Sequence, residues 1–215
     1  LHPGDAAKVV IAHHVAVLLL VEVRLDALRS RGVRAANHGR LLYTGEGETT
    51  DREFVITNYT LGVYNNGDNI VPAVFVLEQG GTGKLTVESP LSVCSDKAEG
   101  ATLVLANSTA EAAEWKSVLA DTDNGGVVTK LNVTKRGTGV WTLTGANTYT
   151  GTTTIEGGTL EIAAGGSIAA SSGLVVSGVA KLAVEDGESV EIQSIAQETA
   201  GVGALDIVCG MTSSV

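Results

Sequence analysis

The sequence predicts an all-β protein whose main body is a solenoid of short stacked strands. Three observations point there: Leu-x-apolar triplets recur down the chain, glycine is abundant while aromatics are scarce, and the recurrence settles near one spacing. The triplets are Leu85-Thr86-Val87, Leu103-Val104-Leu105, Leu131-Asn132-Val133, Leu160-Glu161-Ile162, Leu182-Ala183-Val184 and Leu205-Asp206-Ile207. In each, period-2 alternation sends the leucine and its apolar partner to one face and the middle residue to the other. From Leu160 to Leu182 to Leu205 the steps are 22 and 23 residues. A recurrence of this size marks a solenoid, in which each coil buries its apolar face only against its neighbours.

Composition agrees. The 215 residues include 27 Gly but only 3 Pro, and aromatics make up 4%, so a core must be built from Val, Leu, Ile and Ala. Gly-Gly pairs at 80–81, 125–126, 157–158 and 165–166 fit sharp corners between strands, where glycine reaches positive φ without a Cβ penalty.

The first 40 residues do not share this texture. They carry six of the 14 basic residues, three of the 24 acids and all four histidines, which leaves residues 41–215 with a net charge of −13. So acidic a body repels nucleic acid and anionic lipid, and neither is an expected partner. Residues 6–30 are apolar, yet the uninterrupted run Val15 to Val21 is too short to span a bilayer. No basic n-region or small-residue cleavage site marks a signal peptide. The expectation is a helical or irregular leader over 1–40, outside a repeat region at 41–215, with no direct membrane insertion. His13-His14 has no third ligand type nearby and reads as an exposed or structural pair.

Several short stretches suggest chemistry and fail on inspection. Glu78-Gln79-Gly80-Gly81-Thr82-Gly83-Lys84-Leu85 ends in Gly-Lys, but a phosphate loop needs a leading glycine, a hydroxyl after the lysine and a following helix. Here Glu78, Leu85 and a strand-like LTVES stand instead, so the stretch is a corner between strands. Ser108-Thr109-Ala110-Glu111 has capping-box spacing, but it lies inside a strand array and is read as strand. Asp121-Thr122-Asp123-Asn124-Gly125 has its glycine one place early for a calcium loop, and Asn132 stands where the closing acid belongs. Glu185, Asp186, Glu188 and Glu191 read as a solvated acidic corner. Cys94 and Cys209 lack metal spacing and are expected to be unpaired and buried.

The most specific signal is Lys135 to Ile162, KRGTGVWTLTGANTYTGTTTIEGGTLEI. It resembles the autotransporter-associated β-strand repeat at Gly139, Trp141, Leu143, Gly145, Asn147, Thr148, Tyr149, Gly151, Thr153, Ile155, Gly158, Thr159 and Leu160. The resemblance covers roughly 41–168, is sharpest at 137–162 and does not touch 1–40. It implies a right-handed parallel β-helix in a secreted passenger region, often exported through a C-terminal outer-membrane barrel. No signal peptide and no even-spaced set of lipid-facing strands is legible, which leaves the export route open. Asn147 suits a turn and could form a ladder with Asn residues of other coils, while Trp141 and Tyr149 suit packing or, alternatively, sugar stacking.

Catalysis by Ser-His-Asp or Cys-His has no basis in 41–215, which contains no histidine. The expected function is therefore structural, without catalysis or cofactor: an extracellular or cell-surface stalk whose partners are neighbouring repeats of a longer polypeptide. An adhesin face for surface glycans or host and environmental surfaces, using Trp141, Tyr149 and the acidic corners, is the first alternative. A polysaccharide-active β-helix enzyme with paired carboxylates is the second.

Overall fold

The computed structural model describes residues 20–21, 38–51, 53–58, 73–95, 100–177, 180–184, 194–197 and 205–209. Among these there is no helix; all regular structure is strand. A two-residue strand β1 (Leu20–Val21) comes first, then β2 (His38–Tyr43), β3 (Glu48–Thr50) and β4 (Phe54–Asn58) run along three sides of one coil. The next coil repeats the plan with β5 (Val74–Gln79), β6 (Leu85–Val87) and β7 (Leu91–Ser95). A third coil uses β8 (Ala101–Asn107), β9 (Ala113–Trp115) and a hairpin of β10 (Thr122–Asp123) and β11 (Val128–Thr129). From there each coil has two strands: β12 (Leu131–Gly137) with β13 (Val140–Leu143), β14 (Thr152–Ile155) with β15 (Gly158–Ile162), and β16 (Gly173–Val176) with β17 (Ala180–Val184). Strands β18 (Ile195–Gln197) and β19 (Leu205–Cys209) follow.

Corresponding strands stack in parallel. Sheet 1 runs β1-β2-β5-β8-β12-β14-β16-β18 and sheet 2 runs β3-β6-β9-β13-β15-β17-β19, while β4 and β7 form sheet 3. Among the described residues only β1 on β2 and the β10–β11 hairpin are antiparallel. This is a parallel β-helix, the architecture the spacing and the resemblance predict.

The core lies between sheets 1 and 2, and the period-2 pattern fills it. Sheet 1 points the column Leu77, Leu105, Lys135, Ile155 and Val176 inward, and sheet 2 answers with Val87, Trp115, Leu143, Ile162 and Val184. All ten are buried, nine as hydrophobics and one as a lysine. In the wider coils Phe54 tilts against Trp115 and Phe75, with ring centroids 5.6 and 6.0 Å apart, so large rings fill the extra breadth.

Two expectations change in detail. The Leu-x-apolar triplets form two interleaved series: Leu103 and Leu131 belong to sheet 1, whereas Leu85, Leu160, Leu182 and Leu205 belong to sheet 2. Leu160 does pair with Leu182, but Leu182 pairs with Ile207, and Leu205 lies beside Ala180. A shift of two residues keeps every side chain on its own face, so spacing alone could not distinguish the registers. The strand reading around AAEWKSVL holds only for Ala113–Trp115, as β9; Ser108 to Glu111 form the bend before it, and no helix follows. Of the leader, only Leu20–Val21 and His38–Arg40 are described, and both are strand, with β2 running through the boundary expected at residue 40. His13-His14 and the acidic cluster at 185–191 lie outside the described residues. Cys94 falls in β7 and Cys209 in β19.

Candidate functional site

The Gly-Lys stretch is a corner. Gln79 ends β5, Gly80 to Lys84 turn the chain, and β6 follows. Lys84 turns outward to an ion pair with Glu114 of the next coil, at 2.5 Å, and so is engaged with protein, not phosphate. Gln79 points inward and is fully buried. Its Nε2 donates to Gly83 O at 2.6 Å and to Ala112 O of the next coil at 3.3 Å, and its Oε1 accepts from Gly81 N at 3.0 Å.

The same corner carries a polar side chain in coil after coil. Tyr43, Gln79 and Asn107 occupy one register column. Tyr43 Oη accepts from Gly47 N at 2.8 Å, and Asn107 Nδ2 donates to Glu111 O at 2.9 Å. A backbone that leaves a strand to turn inside a core exposes N–H and C=O groups that no ladder satisfies, and these side chains supply the missing partners. In the next coil the column reaches Gly137, which has no side chain. There Lys135, two residues earlier and also inward, takes over: its Nζ donates to Arg136 O at 2.7 Å, Gly157 O at 3.2 Å and Gly137 O at 3.4 Å. It is the one charged side chain among the buried described residues. Burial pushes its ammonium down to about 8, because removal from water penalises the charged form.

The motif residues surround this corner and the opposite one. Trp141, Leu143, Ile155 and Leu160 point inward and are buried, and Trp141 stacks on Leu160 of the following coil. The Trp141 indole N–H donates to Ala106 O at 3.0 Å. Gly158 has φ +68° and a Cβ there would lie 2.9 Å from Lys135 Nζ and 2.6 Å from Gly139 O, so only glycine serves. Gly139, Gly145 and Gly151 each let the backbone of the preceding coil approach closely, and Thr159 N donates to Gly139 O at 3.1 Å.

At the far corner Asn147 joins three coils. Its Oδ1 accepts from Leu119 N at 2.8 Å and its Nδ2 donates to Ser167 O at 3.0 Å. It makes no ladder with other asparagines; backbone groups of the coils before and after are its partners, which corrects the expectation of stacked amides. Thr148 N and Tyr149 N both donate to Leu119 O, while the Thr148 side chain is exposed. Tyr149 is buried, its hydroxyl lies 2.7 Å from Thr153 Oγ1, and Thr153 Oγ1 donates to Ser171 Oγ at 2.9 Å. Burial pushes the Tyr149 phenol up to about 12. Since Trp141 is fully buried and Tyr149 is 1% exposed, neither ring offers a face to a sugar, and the sugar-stacking alternative is overturned for both.

Residues 133–162 match the family described as passenger-associated-transport-repeat. This is the autotransporter repeat that the motif residues resemble. No curated protein matches the chain, and no solved structure does. The matched repeat thus runs from Val133 in β12 through β13, β14 and β15, the paired strands of two successive coils, and the motif residues named above lie at the joint between them.

Five joint residues escaped the sequence reading: Gln79, Asn107, Asp121, Asn132 and Lys135. Asn132 Oδ1 accepts from Thr152 N at 2.9 Å and its Nδ2 donates to Ala101 O at 3.3 Å, so it too spans three coils. Asp121 accepts from Leu131 N, Thr150 N and Thr150 Oγ1 at 2.9, 3.0 and 2.5 Å. Asp123 accepts from Gly126 N within the hairpin turn. The would-be calcium loop is therefore a capped hairpin. Among the described residues no group of three His, Cys, Asp or Glu side chains is placed to hold a metal. The available signal for Lys135 was parity: it shares the inward face with Leu131 and Val133.

Proposed function

We propose that this chain is a structural passenger segment of a bacterial autotransporter-type protein, a secreted or cell-surface stalk that holds other modules away from the membrane. The observation that carries the reading is the match of 133–162 to a passenger-associated repeat, set in a stack whose polar side chains are spent on joining coil to coil. A spacer needs continuity along its axis and no open cleft. The reading supplies a role for each buried polar group named above and requires no catalysis, so the chain is taken as a non-enzyme whose partners are the neighbouring repeats.

The test uses the protein with its native flanking sequence in intact cells. Digestion by a membrane-impermeant protease and labelling by an antibody against 139–160 are expected at the cell surface or in the medium. Retention inside the envelope would overturn the passenger assignment. A glycan array and an assay for reducing or unsaturated ends from polygalacturonate address the two alternatives. Saturable glycan binding, or product release that disappears when Asp121 and Asp123 are replaced, would replace the stalk reading with an adhesin or an enzyme.

A further inference from the structure

We propose that Lys135 is a register pin: its buried ammonium fixes which residues of β14 may lie against β12, and so sets the alignment of every coil that follows. The reasoning starts from a weakness of the fold. Facing strands here present Thr, Val and Ile in alternation, and a slip of two residues returns each side chain to its own face. Hydrophobic burial therefore distinguishes such registers poorly. The uneven spacing between β17 and β19, where Leu205 and not Ile207 stands at the expected interval from Leu182 yet Ile207 is the partner, shows that sequence spacing does not set register by itself.

A buried ammonium does distinguish them. In the observed register Lys135 lies beside Ile155, and the strand ends just above it in Glu156, Gly157 and Gly158. Gly157 O completes the set of three carbonyls around Nζ, and Gly158 leaves the space that Nζ fills. Slide β14 by two residues one way and Ile155 takes the place of Gly157, with Glu156 at the positive-φ position. Slide it the other way and Thr159 and Leu160 arrive there. Either slip brings a Cβ against the ammonium and puts a residue with a side chain at the positive-φ position. An unmatched buried charge costs more than an unmatched amide or hydroxyl, so Lys135 outweighs the neutral joints at Asn132, Asn147 and Thr153. The charged side chains next to it, Arg136 and Glu156, pair with each other on the outer face at 2.6 Å, so no carboxylate substitutes for the carbonyls. A single buried polar residue that specifies alignment at some cost in stability has a precedent in coiled coils.

The experiment traps register by disulfide formation. With Cys94 and Cys209 replaced by Ala, one chain carries Thr134→Cys and Thr154→Cys, which face each other in the observed register. A second carries Thr134→Cys and Thr152→Cys, which a disulfide can bridge only after a two-residue slip, given the short Cα separation such a bond demands. With Lys135 present, mild oxidation should close the first pair and leave the second open. Lys135→Met should raise the yield of the slipped disulfide about tenfold or more while the protein remains folded. Lys135→Gln, which retains two N–H donors on a side chain one atom shorter, should give an intermediate yield. If the slipped pair closes no more readily in Lys135→Met than in the parent, Lys135 is not a register pin. Should Lys135→Met fail to fold, the same ratio in Lys135→Gln decides, and equality with the parent overturns the proposal.

Discussion

Raising the pH from 7 to 9.5 should make this protein harder to unfold, and Lys135 is the reason. Its ammonium titrates near 8 in the folded chain and at the ordinary 10.5 when unfolded. A group whose folded pKa is lowered carries fewer protons in the native state than in the unfolded one between those two values, so stability rises with pH across that window. Below about 8 both states hold the proton and the penalty of burying the charge is felt in full. Taking the two values at face value, the gain between pH 7 and 9.5 has a ceiling of about 2 kcal/mol, which the three carbonyl acceptors reduce because they favour the charged form. For a chain of this size that corresponds to a rise in Tm of at most about 4–8 °C. Tyr149 and Tyr43 work in the opposite direction, since both phenols are raised by burial and their contribution fades above pH 10. The window should therefore stop at 9.5. The assay is thermal or denaturant unfolding, followed by far-ultraviolet circular dichroism at half-unit steps of pH, on the parent and on Lys135→Met. The parent curve should climb and the variant curve should stay level. A flat or falling parent curve, or an equal climb in the variant, would refute the reasoning.

Other consequences follow from the same joints. Asn147→Ala leaves Leu119 N and Ser167 O without partners in a buried corner and should cost about 2–4 kcal/mol in unfolding free energy, whereas Thr148→Ala, at an exposed position, should cost under about 0.5. Leu160→Asp places a charge between Trp141 and Leu182 and should lower Tm far more than Leu205→Asp on β19, the last strand of sheet 2; equal losses would argue against stacked coils. Native-state amide exchange should be slower in β14 and β15, each with a strand of its sheet on both sides, than in β18 and β19, which stand at the ends of theirs. Uniform protection across these strands would contradict that ordering.

Much of this was legible in the residues. Period-2 alternation and glycine pairs located strands and corners, because both depend on local geometry that a few residues settle: Gly80-Gly81 turns between β5 and β6, and Gly157-Gly158 between β14 and β15. Leu131, Val133, Leu160 and Ile162 were legible as inward residues for the same reason. The joints were harder. Asn147 looks like any turn asparagine until Leu119 and Ser167, 28 residues back and 20 forward, are brought beside it. Lys135 looks like one more surface cation unless its parity with Leu131 and Val133 is taken seriously. The alignment of Leu182 with Ile207 was hidden because a two-residue shift leaves the pattern of faces unchanged.

The change from three-sided to two-sided coils has an architectural consequence. Leu77, Leu105, Lys135, Ile155 and Val176 follow one another in a single inner column at steps of 28, 30, 20 and 21 residues. The two main sheets keep their register straight through the change, and most of the difference is absorbed on the third side, where β7 gives way first to the β10–β11 hairpin and then to a direct return: Val87 to Leu105 and Trp115 to Lys135 span 18 and 20 residues, Leu143 to Ile155 and Ile162 to Val176 only 12 and 14. Val93 N donates to Thr122 Oγ1 at 3.1 Å, which ties that hairpin to the last strand of the third wall. The third wall behaves as a margin: turns can be lengthened or trimmed there as if in a hem, while the seams that align the cloth are left uncut. A foreign loop carried at Asn124 to Val127, the tip of that hairpin, would stand at the edge of the stalk with both main sheets beneath it undisturbed.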